Sequence, residues 1–152
     1  MWFSKKQVEK QESSKATGQV TTKASAPATT KAKGDAAEAF ALAYLRQAGM
    51  ALVATNYRTP GRGGGEIDLI MTGPDGTLVF IEVRQRANAS HGGAGASISL
   101  RKQQRIVFAA RHYLMRLKAP PPCRFDVLLI TGGVGAADIP AVEWLRSAFD
   151  AG

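Results

Sequence analysis

A chain of 152 residues with a formal net charge of +8 and a single cysteine has room for one domain, but it cannot close an internal disulfide or build a cysteine-rich zinc site. Lone Cys123 suits a reducing cytoplasm, and Met1-Trp2-Phe3 runs at once into Lys5 and Lys6 with no apolar stretch behind it, so no secretory signal is expected. No run approaches the roughly 18 apolar residues that span a bilayer, and no membrane partner is expected.

Residues 1–33 read as a disordered basic tail. Ser13 to Lys33 is nearly all Ser, Thr, Ala and Lys, with almost no large apolar side chains, and buries too little area to offset the entropy of ordering. Seven lysines against two glutamates place five of the eight net charges there, leaving the domain expected over 34–152 only mildly basic. The charge therefore fits a tail that aids solubility as well as an arm that tethers nucleic acid.

From Gly34 the pattern turns helical. Ala37, Phe40, Ala41, Tyr44, Leu45 and Ala48 recur three and four residues apart, Asp35 and Glu38 fall in the expected first turn, and Gly49 stops the helix. Met50 to Tyr57 reads as a strand, followed by the glycine-rich stretch from Pro60 to Gly65. Next comes a hairpin: Gly65 to Ile70, the turn Gly73-Pro74-Asp75-Gly76-Thr77, then Phe80-Ile81-Glu82-Val83-Arg84. Pro, Asp and Gly in that order suit a type I turn with a left-handed glycine bulge, pairing Gly73 with Thr77. Counting outward sets Asp68 opposite Glu82 and Glu66 opposite Arg84. Period-two alternation leaves Ile67, Leu69, Met71, Val79, Ile81 and Val83 as a wholly apolar face that must be buried.

A second glycine-rich loop, Ala87 to Gly95, precedes Ser99, which reads as the N-cap of a helix to about Leu117. Ile106, Phe108, Ala109, Tyr113 and Leu117 form its expected buried stripe, while Arg101, Lys102, Arg105, Arg111 and Arg116 lie outside. After three prolines, Arg124 to Ile130 is the strongest central-strand pattern in the chain. Ile139 to Phe149 is amphipathic and fits either a strand turning into a helix or a helix alone. The sum is an α/β domain with an α-β-β-β-α-β core, a mixed sheet and helices on both faces.

Several chemistries are excluded. No glycine cluster makes a Walker A loop or opens a helix directly after a strand, which argues against nucleotide binding by either loop. There is no Gly-x-Ser-x-Gly elbow, and His91 and His112 are isolated from any nucleophile. What remains is the concentration of acids on the hairpin. Facing carboxylates repel, and an oxygen-ligated divalent cation turns that repulsion into attraction. The alternative is a solvated face on which Arg84 pairs with one of the acids.

Glu66, Asp68, Glu82 and Arg84, with Glu38 on the preceding helix, resemble the site layout of the restriction-endonuclease-like superfamily, written PD-(D/E)XK. Within it the chain resembles the uncharacterised bacterial YraN family from Gly34 onward. The residues carrying the likeness are Gly34, Glu38, Ala41 and Tyr44-Leu45; Asn56 and Arg58; Gly65 to Ile70; Phe80 to Arg86; Lys102 with Arg105-Ile106; and Arg124 to Val127. The resemblance implies a phosphodiesterase site in which Asp68, Glu82 and the Val83 carbonyl hold one Mg²⁺ or Mn²⁺. Glu38 reaches the ion directly or through water, and Glu38, Asp68, Glu82 and Arg84 form the catalytic set. Arg58, Arg86, Lys102 and Arg105 are the expected nucleic-acid contacts.

Arg84 stands where the superfamily pattern has lysine. Arginine stays protonated, so it binds phosphate or stabilises an anionic transition state without exchanging a proton. Two functions follow: a metal-dependent nuclease acting on DNA, or a non-catalytic nucleic-acid-binding or protein-interaction scaffold on the same fold. A homodimer fits either.

Overall fold

The computed structural model describes residues 26–88, 98–135 and 139–152. Most of the expected tail, and the loop carrying His91, lie outside the described residues. Those described form two helices and five strands in the order α1 (Thr30–Gln47), β1 (Ala51–Arg58), β2 (Glu66–Thr72), β3 (Leu78–Arg86), α2 (Leu100–Leu114), β4 (Cys123–Thr131) and β5 (Ala141–Phe149).

Helix α1 begins at Thr30 rather than Gly34. Thr29 caps it, its hydroxyl accepting from the Ala32 N–H at 3.1 Å, and the intervening Lys and Ala residues are good helix formers. Asp35 and Glu38 therefore lie beyond the first turn, not within it. Helix α2 starts as expected, with the Ser99 hydroxyl accepting from the Lys102 N–H at 3.2 Å. Its buried stripe is Ile106, Val107, Ala109 and Ala110, whereas Phe108 is 55% exposed. At about 100° per residue, Phe108 stands some 200° from Ile106 and points away from the sheet.

The sheet runs β1-β2-β3-β4-β5, with β3 and β4 parallel and every other neighbouring pair antiparallel. Helix α2 makes the crossover between the parallel strands. Helix α1 packs through Ala37, Ala41 and Leu45 on Leu69, Met71, Val79, Ile81, Leu128 and Ile130. On the other face α2 packs on Ile67, Ile70, Leu78, Phe80 and Phe125. The core is thus two layers divided by the sheet, the arrangement the sequence pattern implies.

Ile67 departs from strict alternation by joining Ile70 on the α2 side. The chain approaches α2 closely just before it: a Cβ on Gly65 would run into the Arg105 carbonyl and the Ala109 side chain, so only glycine fits there. The turn is as expected, with the Gly73 N–H donating to the Thr77 carbonyl at 2.9 Å and Gly76 at φ 83°.

The segment 141–149 is strand throughout, which corrects both helical readings. Where β4 advances from Phe125 to Val127 its partner β5 runs from Phe149 to Leu145, and these extra residues with a left-handed Ser147 (φ 49°) interrupt the alternation of β5. Its partly buried Val142, Leu145 and Phe149 consequently fall three and four residues apart, the spacing that imitates a helix.

Candidate active site

The site lies where the sheet forks. Strands β2 and β3 pair from Thr72 opposite Leu78 to Leu69 opposite Ile81, the register the turn implies. Beyond that point β2 stays with β1 as far as Glu66 opposite Arg58, while β3 stays with β4 as far as Arg86 opposite Thr131. The parted strands leave backbone groups without ladder partners. Asp68 supplies one, its carboxylate accepting from the Val83 N–H at 2.8 Å. Val83, expected to contribute its carbonyl to a metal, thus has its amide committed to Asp68.

Glu82, 5% exposed, sits beside Asp68, the two carboxyl groups close enough to share a proton. Burial, and then the adjacent Asp68 charge, push the Glu82 carboxyl up to about 7. Burial also raises Asp68, opposed by the Val83 N–H. One Glu82 oxygen meets the Lys102 ammonium at 3.4 Å, while the other, Oε2, is buried without a hydrogen-bond partner. A shared proton or a cation would satisfy that oxygen.

Glu38 approaches from α1. Burial raises its pKa, a hydrogen bond from the Asn56 side chain opposes the shift, and the Asp68 charge adds to it. Asn56 takes this position in a left-handed conformation, φ 48°, that asparagine tolerates better than most residues. Because Glu38 comes from one helix and Lys102 from the other, the fork is where groups from both faces of the sheet meet.

Among the described residues no three His, Cys, Asp or Glu side chains gather closely enough to hold a metal ion. Asp68 and Glu82 therefore stand as a pair, with Glu38 further out. A pair still fits Mg²⁺ or Mn²⁺, since such ions take one or two carboxylates and complete their shells with water. The orphaned Oε2 of Glu82 supplies the vacant lone pairs such an ion needs.

Among the remaining expected residues, Arg58, Arg105 and Lys102 have partners within the chain. Arg84 is half-buried on β3, in register with Leu129 of β4, and the expected pairing with Glu66 is not formed. Glu66 instead accepts from Arg58 at 2.9 Å. Arg105 donates to the Gly64 carbonyl at 2.9 and 3.3 Å, fastening the glycine-rich loop to α2. Lys102, expected on the open face of α2, belongs to the carboxylate pair. Arg86 lines a separate cavity. The family likeness singles out Asn56 and Lys102, but sequence reading gives Asn56 no role and makes Lys102 a nucleic-acid contact; that Asn56 holds Glu38 and Lys102 pairs with Glu82 is visible only in the structure.

The fold and site define a mixed α/β protein whose five-stranded sheet opens around a buried carboxylate pair. Residues 37–130 match the model described as "Uncharacterised protein family UPF0102", and the chain belongs to that family, the YraN family of the sequence resemblance. It is 61% identical to a UPF0102 protein of Polaromonas sp. strain JS666, covering 99% of both chains. Identity to a UPF0102 protein of Polaromonas naphthalenivorans is 59%, again over 99% of both. A UPF0102 protein of Albidiferax ferrireducens is 68% identical over 78% of this chain and 87% of its own. No helix among the described residues is long and apolar enough to cross a membrane.

Proposed function

We propose that the chain is a metal-dependent phosphodiesterase of the restriction-endonuclease-like kind, acting on nucleic acid, most readily DNA. The observation that carries this reading is the buried Asp68–Glu82 pair at the fork, with one Glu82 oxygen left unpartnered. The Asp68 charge raises the proton affinity of the buried Glu82, a cost that a divalent cation held between the two carboxylates would offset.

In this reading Asp68 and Glu82 hold one Mg²⁺ or Mn²⁺, which supplies Lewis acidity toward a phosphoryl oxygen and toward water. Asp68 is oriented by the Val83 N–H. Glu38, anchored by Asn56, holds an outer water. Lys102 brings the ammonium closest to the pair and meets the charge that builds on the phosphate, a part Arg84 shares without exchanging protons.

The second reading is a nucleic-acid-binding scaffold without turnover. It is favoured by Arg84, which occupies the superfamily's lysine position, and by the engagement of Lys102 with Glu82. Mn²⁺-dependent cleavage of single-stranded, duplex and junction DNA separates the readings. The nuclease reading expects cleavage by the wild type and its loss in Asp68→Ala. An inert wild type with an active Arg84→Lys supports the scaffold, and inertness of all three overturns the nuclease.

A further inference from the structure

The C-terminal ends of the parallel strands β3 and β4 frame a cavity of about 490 Å³ that includes neither Asp68 nor Glu82. Arg86 and Lys33 line it, with Gln85, Gly132 and Val134, and no acid is among the described residues of its wall. Two bonds hold that wall together: the Gln85 side-chain amide donates to the Gly132 carbonyl at 2.9 Å, and the Gly132 N–H donates to the Arg86 carbonyl at 2.8 Å. Those donors are engaged. Arg86 Nε is buried and has no hydrogen-bond partner.

A buried donor left unmet costs about 1–3 kcal/mol, so the Arg86 guanidinium beside the cavity is not saturated by the protein and keeps donor capacity for an acceptor bound there. With two cations lining the cavity and no acid among the described residues of its wall, the acceptor is an anion. A phosphomonoester, at roughly −1.5 to −2 near neutral pH, matches two cations better than a carboxylate or a phosphodiester does. The volume exceeds what a bare phosphate needs and lies within the roughly 300–1,000 Å³ range of small-molecule sites. Ala32, Ala36 and Val134 make the rest of the wall apolar. The carboxyl ends of parallel strands are also where open α/β sheets bind ligands.

We propose that this cavity binds a phosphomonoester carried on a nucleoside-sized body, with the Arg86 guanidinium on the phosphate and Lys33 balancing its second charge. The site uses neither a Walker A loop nor a dinucleotide loop. Arg86 lies four residues beyond Glu82 on one strand, on the order of 13 Å away, so a single phosphate cannot reach both. The proposal therefore stands apart from hydrolysis at the fork.

Calorimetry on the full chain at low salt, without divalent cations, compares deoxyadenosine monophosphate, deoxyadenosine and inorganic phosphate. The monophosphate is expected to bind about tenfold or more tightly than either of the others, and to shift the NMR resonances of Arg86 Nε and the Gly132 amide. Arg86→Met should lose about tenfold in affinity, Arg86→Lys less, and Lys33→Met about threefold. Melting curves check that each variant is folded; if Arg86→Met is not, Lys33→Met and the Arg86 Nε resonance decide. Equal binding of monophosphate and nucleoside, an unmoved Arg86 Nε resonance, or undiminished binding by Lys33→Met overturns the site. Inorganic phosphate binding as tightly as the monophosphate overturns the nucleoside-sized ligand.

Discussion

Two buried carboxylates on adjacent strands are treated in opposite ways by their surroundings. Asp126 on β4 is fully buried, yet each oxygen is met: Arg124 Nε lies 3.0 and 3.2 Å from the two, Trp144 Nε1 donates at 2.9 Å and the Ser147 N–H at 2.9 Å. Glu82 on β3 is nearly as buried but has one long ion pair, a second carboxyl group beside it and an empty oxygen. Burial alone does not distinguish a structural acid from a reactive one. Saturation does, because a saturated carboxylate has no lone pair left for a ligand.

The comparison is broken most forcefully at Asp126. Asp126→Ala strands Arg124, Trp144 and the Ser147 amide, and should lower the unfolding free energy by about 3–5 kcal/mol in a denaturant titration. Glu82→Gln, measured alongside at pH 8 without divalent cations, should cost nothing or stabilise the fold, because it removes the repelling charge. A large loss there would mean that Glu82 is structural as well.

The next effect is a pH slope. Glu82 binds its proton more tightly folded, at about 7, than its ordinary 4.5, so the native state carries more protons between those values. Stability without divalent cations is therefore fully present below about pH 4.5 on this account. It declines as pH rises to 7, by an amount on the order of 3 kcal/mol for this group. Chemical denaturation from pH 5 to 8 reads the decline, which Glu82→Gln should flatten and added Mn²⁺ should offset at the alkaline end.

Lys102→Met sharpens the same contrast more gently. Removing the ammonium beside Glu82 raises that carboxyl further, moves the decline to higher pH, and should cost about 1 kcal/mol at pH 8 once solvent screening of the partly exposed lysine is allowed for. The smallest effect belongs to Arg58→Met. Its ion pair with Glu66 is 2.9 Å long but largely exposed, so its loss should change stability by less than about 1 kcal/mol. A larger change would place Glu66 within the same coupled group as Asp68.

The hairpin register was legible because Pro74-Asp75-Gly76 specifies its own turn and the count runs outward from there. The same count said nothing of where pairing stops, so Glu66 was assigned to Arg84 although the strands have already parted. Ser99 identified the start of α2 because a cap is a local interaction between residues three apart. The nature of β5 was hidden by a kink whose cause is an aspartate on another strand, with the Ser147 N–H held by Asp126. The pairing of Lys102 with Glu82 is likewise beyond local reading, since it joins a helix residue to a strand on the far side of the loop between them.

The two non-glycine residues with positive φ among those described, Asn56 and Ser147, fall on β1 and β5, the outermost strands, as do both register irregularities. A straight outer strand invites another chain to zip onto it, backbone to backbone. A bend on each rim breaks that template into runs of a few residues. Growth into fibrils by lateral addition is thereby discouraged, and a second copy of this chain would have to associate through a face or through the strand ends.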